Sequence, residues 1–260
     1  MKISIIVATF NSATTIAKTL ESVLAQSYTD YELIICDGAS TDTTLDVVAS
    51  FQDAFGTKLS CVSEPDSSLY EAMNKGVDRA SGDIIGFLNS DDFYTSNHIL
   101  ERISQEFTHT PLLEAVYGDV HYIHPHSGKP VRYYSCRIFS PWMMRLGFMP
   151  AHPSFYCKRH LFSTYGKFDL NYQIAADFEQ LFRLIYVHRI RIKYIPIDFV
   201  TMRVGGISTP GLASSKRIMR EHITAIHSHG YKANRLLLST RYIYKVFELI
   251  YSRIRYAFSS

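Results

Sequence analysis

Apolar residues in the first third of the chain follow two alternating rhythms. KISIIVAT, YELIIC, KLSCV and DIIGFL are short runs, nearly continuous in Ile, Val, Leu and Phe. Between them, from about Ser12 to Gln26, from about Thr41 and from about Ser68, apolar positions recur every three or four residues. Such strands alternating with helices predict a parallel sheet covered on both faces. The expected fold class is therefore α/β, with a doubly wound, mostly parallel central sheet. In such sheets ligands bind beyond the carboxyl ends of the strands. Each run ends in a polar signature, respectively TFNS, DGASTD, SEPDSS and NSDD, so four polar loops should meet at one rim.

Beyond residue 110 the rhythm changes. LLEAVYGDVHYI and KPVRYYSC flank HPHSG, a hairpin signal that adds antiparallel or mixed strands. A helix follows from about Ala175 to His188. From Ala213 onward the chain reads as helices interrupted near Gly230. In the last of them Arg241, Lys245, Glu248, Ser252 and Arg255 form one polar stripe beside broad apolar flanks, and a helix so patterned needs an apolar partner.

At 260 residues, 47% hydrophobic and 20% charged, the chain suits one large α/β domain with an appendage. The expected division is a main domain over 1–211, in halves 1–95 and 96–211, and a basic helical extension over 212–260. The run Ile3 to Ala8 is too short for a secretory signal, and no stretch approaches the roughly 20 apolar residues of a membrane span. The expected location is cytoplasmic. Cys36, Cys61, Cys136 and Cys157 form no CxxC pair and read as buried, reduced thiols. The net charge of +3 is uneven: from Ser215 onward there are nine Lys/Arg against two Asp/Glu, and before it 18 against 22. A basic amphipathic tail on an acidic body suits an anionic membrane surface or a protein surface, and both stay open. No nucleic-acid motif is present.

The chemistry concentrates at the strand ends. In NSDD, Asn89, Asp91 and Asp92 offer only oxygen ligands, which suit a hard cation, Mg²⁺ or Mn²⁺, with positions left for phosphate oxygens. The alternative reading is that one of the acids caps the following helix. Asp37 could accept from the N–H of a flat heterocycle or cap its own loop. Thr9 and Asn11 could contact a nucleotide, and Asn11 could equally cap the first helix. No GxGxxG or P-loop glycine pattern follows the first strand, so neither a dinucleotide nor the usual triphosphate cradle is indicated. His121, His124 and His126 surround a Pro/Gly turn without a thiol or carboxylate nearby in sequence, and read as a solvated hairpin.

The succession SIIVATFN, IICDGASTDTT, SEPDSSLYEAMNKGVDRASGDIIGFLNSDD and AADFE resembles glycosyltransferase family 2, the inverting nucleotide-sugar enzymes of GT-A fold. The likeness is specific over residues 1 to about 95 and extends to about 210. It implies that Thr9, Asn11 and Asp37 contact the nucleoside, with Asp37 on the base, and that Glu64 and Asp66 lie near base and ribose. Asn74 and Lys75 would sit on the helix facing the donor. Asn89, Asp91 and Asp92 stand where the family carries its DxD-type motif, with Asp92 favoured as the direct metal ligand. Asp177 is the implied base with Glu179 as runner-up, although an acid in the first turn of a helix also suits the helix dipole. His152 would lie near acceptor or leaving group, unless it is a core histidine, and the loop Arg203 to Ser208 would close over the site or merely connect. The implied partners are a UDP-sugar and a glycan acceptor, polyprenyl-diphosphate linked, in O-antigen, capsule or exopolysaccharide assembly; self-association stays open. The rival readings are a nucleotidyltransferase on a similar sheet, a two-carboxylate glycoside hydrolase and a non-catalytic nucleotide-sugar-binding protein.

Overall fold

A computed structural model describes residues 1–125, 127–205 and 212–257, with 212, 213, 243 and 249–257 described by backbone alone. The first apolar run is β1 (Ile3–Thr9), buried throughout. It pairs in parallel with β2 (Tyr31–Asp37) and β4 (Ile84–Phe87), and β2 pairs in parallel with β3 (Leu59–Ser63). Register sets Thr9 opposite Asp37 and Asp37 opposite Ser63, so the carboxyl ends of three strands finish level. This is the parallel half that the pattern predicts.

The other half is mixed. β8 (Phe155–Lys158) runs antiparallel to β4 and joins it to β6 (Ala115–Ile123), which pairs in parallel with β9 (Ile192–Arg203); β9 carries β5 (Phe93–Tyr94) at the far edge. β7 (Pro130–Tyr134) makes the expected hairpin with β6. Helices cover both faces, so two hydrophobic cores form, one around Ile6, Phe87 and Phe178 and the other around Ile5, Leu20 and Phe107. β4 lies so close to β8 that a Cβ on Gly86 would sit 1.9 Å from the Tyr156 ring.

Several boundaries differ from expectation. α1 (Ile16–Leu24) starts four residues late because Ser12 to Thr15 form a turn, in which the Thr15 and Ile16 amides donate to the Ser12 carbonyl. α2 (Thr44–Ser50) and a short α3 (Gln52–Phe55) follow β2. α4 (Leu69–Arg79) starts as predicted: Ser68 accepts from the Glu71 amide at 3.2 Å, and Glu71 reaches back to the Ser67 amide at 2.7 Å. NSDD does not precede a helix. β5 follows it, and α5 (Ile99–His109) begins only after His98, so neither Asp91 nor Asp92 is a helix cap. After α6 (His160–Tyr165), the helix expected from Ala175 is α7 (Ala176–Leu181), which widens into a π-helix over Phe182–Val187.

α8 (Leu212–Ser228) and α9 (Arg235–Ala257) are separated at Gly230, where φ is +80°. Both pack on the body. α9 buries Leu238, sets Tyr244 against Phe148 at 5.2 Å and pairs Glu248 with Arg132 of β7. Arg241 points inward too, donating to His222 at 2.7 Å. The polar positions of this helix thus face the protein, while Val246 and Phe247 (65% exposed) face outward; the side chains of Ser252 and Arg255 lie outside the described residues. No described helix is long and apolar enough to cross a membrane. Cys36, Cys136 and Cys157 are buried and free; Cys61, contrary to expectation, is exposed on the edge strand β3.

Candidate active site

The loops after β1, β2, β3 and β4 are laced into one rim by their own polar side chains. Asn11, at φ +48°, donates its amide to Ser40 Oγ at 2.8 Å and accepts from the Thr41 amide at 2.9 Å. It therefore stitches the first loop to the second and caps no helix. Ser12 Oγ and Ser90 Oγ meet at 2.8 Å, joining the first loop to the fourth. Thr9 is buried, and its hydroxyl has no hydrogen-bond partner. A buried hydroxyl without a partner costs free energy, which a ligand would recover.

Asp37 is 1% exposed and its carboxylate is fully engaged, accepting from the Ser40 amide at 2.9 Å, Ser40 Oγ at 2.5 Å and Ser63 Oγ at 2.6 Å. It joins the second loop to the end of β3, with Oδ2 taken twice and Oδ1 once. On the same loop Gly38 faces the Phe10 ring and Asp66 Oδ2, at 3.5 and 3.6 Å from a built Cβ. Lys75 draws the third loop's acids together, lying 2.6 Å from Asp66, 3.3 Å from Glu64 and 3.7 Å from Glu71. Its pairing with the Asp66 carboxylate, which accepts from the ammonium, is the main cause of its raised pKa. Asn74 is turned elsewhere: its amide exchanges two 2.9 Å hydrogen bonds with the backbone of Phe168. It holds that loop against α4 and is occupied in doing so.

At the end of β4 the chain turns sharply, the Asp92 amide donating to the Asn89 carbonyl at 3.1 Å. Asp92 is 1% exposed; its Oδ2 accepts from Asn89 Nδ2 at 2.7 Å, and its carbonyl from Thr19 Oγ1 at 2.7 Å. Asp91 is only partly buried. Arg203 donates to its carbonyl oxygen at 2.6 Å and stacks over Phe93, which ties β9 to this turn. Burial raises the pKa of both acids, and the adjacent Asp91 charge raises that of Asp92 further. Two buried carboxylates side by side with one guanidinium nearby favour a cation. No group of three His, Cys, Asp or Glu gathers around a common point among the described residues, so a cation here would need ligands from a bound molecule. The loop expected over Arg203 to Ser208 is described only to Gly205; residues 206–211 lie outside the described residues.

Beyond β4 lie the later candidates. His152 stacks on Phe87 at 5.1 Å and meets Phe168 edge-on at 5.5 Å. Burial pushes its pKa down to about 4, so the ring is neutral, and its Nε2 has no partner. Asp177, in the first turn of α7, accepts from the Phe178 amide at 2.7 Å and lies 3.4 Å from the Tyr70 hydroxyl of α4. Burial pushes its carboxyl up to about 6. Glu179 differs: both oxygens are taken, by Arg183 at 2.9 and 3.0 Å and by His229 at 2.7 Å. Its burial would raise the pKa, but these hydrogen bonds outweigh it and hold the group below its usual value. Arg183 goes on to the carbonyls of Gly166 and Lys167, so this network pins the loop after α6.

Sequence reasoning did not find Tyr70, Arg183 or His229, and it named Arg203 only as the start of a loop, since each acts across more than the span of one motif. The hairpin histidines also read differently. His121 lies within β6, 2.5 Å from Asp198 and 3.1 Å from Thr201 of β9, a carboxylate partner that adjacency in sequence could not show. His126 lies outside the described residues.

The sequence model described as Glycosyl transferase family 2 matches residues 4–156. The chain is 33% identical over 179 residues to a PGL/p-HBAD biosynthesis glycosyltransferase of Mycobacterium bovis, over 68% of this chain and 66% of that one. It is 36% identical over 102 residues, 39% of each chain, to the Escherichia coli UDP-Glc:alpha-D-GlcNAc-diphosphoundecaprenol beta-1,3-glucosyltransferase WfaP. The chain thus aligns with just under two thirds of the mycobacterial relative and well under half of WfaP. Among solved structures, residues 1–349 of S. aureus TarS in complex with UDP-GlcNAc superpose at a TM-score of 0.65, with 17% identity, over 92% of this chain and 71% of that one. The mannosyltransferase PcManGT of Pyrobaculum calidifontis, in complex with GDP-Man and Mn²⁺, gives 0.67 with 18% identity, over 92% and 68%. The family match over more than half the chain and the shared GT-A architecture agree: the chain belongs to glycosyltransferase family 2.

Proposed function

We propose that this enzyme transfers a sugar from a UDP-sugar, with inversion and with a divalent metal, to a hydroxyl of a lipid-linked glycan during cell-surface polysaccharide or glycolipid assembly. One observation carries the reading: Asp92 is buried beside the more open Asp91 at the end of β4, and a separate carboxylate, Asp177 of α7, lies 3.4 Å from Tyr70 of α4, the helix that follows the third rim loop. Two adjacent carboxylates with a single guanidinium nearby suit a metal–diphosphate, and a separate carboxylate suits an acceptor hydroxyl.

The residues divide as follows. Asp91, the more open of the pair, is assigned to the metal; Asp92, buried and held by Asn89, is assigned to shaping the turn, which reverses the order the motif suggests. When bound, Mg²⁺ or Mn²⁺ neutralises charge on the departing diphosphate. The free Thr9 hydroxyl, Asp66 and the Gly38 surface beside Phe10 are assigned to the nucleoside, with Asp37 acting through Ser40 and Ser63. His152, neutral and with Nε2 unpartnered, can donate or accept one hydrogen bond at the sugar or its leaving group. Asp177 takes the acceptor proton, and a single displacement on the opposite face of the sugar inverts the anomeric carbon. Glu179 is not assigned to the base, because both its oxygens are already bonded.

The lipid-linked acceptor is supported by WfaP's printed substrate and by α9. Its outward Val246 and Phe247, with the exposed Ile138 and Trp142 beside Met143 and Phe148, present apolar surface near the exposed Arg137 and Arg145. Apolar and basic groups together suit an anionic membrane surface.

A panel of nucleotide sugars, scored for UDP release with and without Mn²⁺, tests the reading. Metal-dependent release with one UDP-sugar, lost in Asp91→Asn, is the expected result. Release indifferent to metal, or no binding of UDP, would overturn it.

A further inference from the structure

Asp177 lies in a helix whose start is held from outside the catalytic sheet. The first backbone N–H groups of a helix have no partner within it. Before α7, the amides of Ile174 and Ala175 donate to Glu221 Oε2 at 3.0 and 2.9 Å, and that of Gln173 to Oε1 at 3.3 Å. Glu221 belongs to α8. Arg217, one turn earlier, donates to the Gln173 side chain at 2.7 Å, and His222 stacks on Phe178, ring centres 3.7 Å apart and planes nearly parallel. From the other side Tyr70 donates to the Ile174 carbonyl at 2.5 Å. The segment 173–175 is therefore clamped between α4, which packs on β1 and β2, and α8.

We propose that Glu221 is the positioning residue for Asp177: by holding from α8 the backbone of 173–175 that leads into α7, it fixes the carboxylate's orientation and sets its electrostatic surroundings. The proposal rests on Asp177 being the base. Glu221 does not touch the reacting atoms; it acts through the backbone it holds and through its charge. The titratable side chains facing Asp177 are Tyr70 from α4 and Glu221 from α8, with His222 over the neighbouring Phe178. Burial keeps Tyr70 protonated and His222 neutral, so the one charge among these is that of Glu221. A nearby negative charge disfavours ionisation and holds the Asp177 pKa up.

The test compares Glu221→Ala, Glu221→Gln and Asp177→Asn in the full chain, measuring UDP affinity in the presence of Mn²⁺, kcat and the acid limb of the kcat–pH profile. Glu221→Ala should lower kcat about 10- to 100-fold, the loss that misplacing a reacting group by an ångström brings. UDP affinity should stay within about twofold. Glu221→Gln keeps an acceptor for the amides while losing the charge, so it should recover most of kcat and shift the acid limb to lower pH. Adding Glu221→Ala to Asp177→Asn should cause no further loss, since the two act as a unit.

An unchanged kcat and acid limb in both Glu221 variants, with Asp177→Asn inactive, would overturn this proposal alone. Equal loss of UDP affinity and kcat, not recovered by Gln, would make Glu221 merely structural and would also overturn it. Normal turnover by Asp177→Asn would remove the base assignment and this proposal with it.

Discussion

Asp177 and Glu179 are two residues apart, and their surroundings send them to different tasks. Glu179 is saturated by Arg183 and His229, whereas Asp177 has one short hydrogen bond and a carboxyl lifted by burial. A base must be deprotonated to act, so kcat should rise with pH through about 6, the value burial gives Asp177, and level off above it. The stability consequence has the opposite sign. A carboxyl whose folded pKa exceeds its unfolded one binds protons more tightly when folded, so stability falls as pH rises from about 4 to about 6. At neutral pH the burden is fully present, and Asp177→Asn should melt at a higher temperature than wild type, gaining on the order of 1–3 kcal/mol. A lower melting temperature would contradict the burial argument. Sequence alone placed both acids in one motif and could rank them only by resemblance, because hydrogen bonds from Arg183 and His229 cannot be read from spacing. The same limit applies to Asp91 and Asp92, where burial distinguishes the open carboxylate, and to Asp37, whose partners are Ser40 in the second loop and Ser63 at the end of β3.

Among the elements, the four parallel strands were legible because buried strands are written as continuous apolar runs, and Ser68 announces α4 as a capping residue should. α1 and the start of α5 were misread for one reason: polar residues after a strand can enter a helix or lace loops together, and here they lace loops. DIIGFL carries a further constraint that periodicity does not show. Gly86 is needed because β8 brings Tyr156 onto β4, where an added methyl would meet the ring at 1.9 Å. Gly86→Ala should destabilise the protein by about 1–3 kcal/mol, measured by urea denaturation. An unchanged midpoint would mean that the two strands separate more easily than their packing implies. Since Phe87 and the Asp91–Asp92 turn follow directly, UDP affinity should weaken in the same variant.

Across the whole molecule, the C-terminal helices are part of the site's framework. Glu221 holds the approach to Asp177, His229 reaches Glu179, and Arg241 reaches the histidine stacked on Phe178. The sequence marked this region as a basic appendage from its count of charges, and the described part of the stripe, Arg241, Lys245 and Glu248, is turned toward the body. Leu238 and Tyr244 pack on the body, and Val246 and Phe247 are left outside, the surface assigned above to lipid. Val246→Glu with Phe247→Glu should abolish flotation with anionic liposomes while leaving UDP release on a soluble acceptor within about twofold. Undiminished flotation would remove α9 from the membrane account.

The central claim, a metal-assisted displacement with Asp177 as its base, is tested most directly by UDP release from the preferred UDP-sugar with acceptor, comparing wild type and Asp177→Asn with and without Mn²⁺. Release should require both the metal and the Asp177 carboxylate, while Asp177→Asn still binds UDP with wild-type affinity. Wild-type turnover by Asp177→Asn, or full activity without a divalent ion, would contradict it.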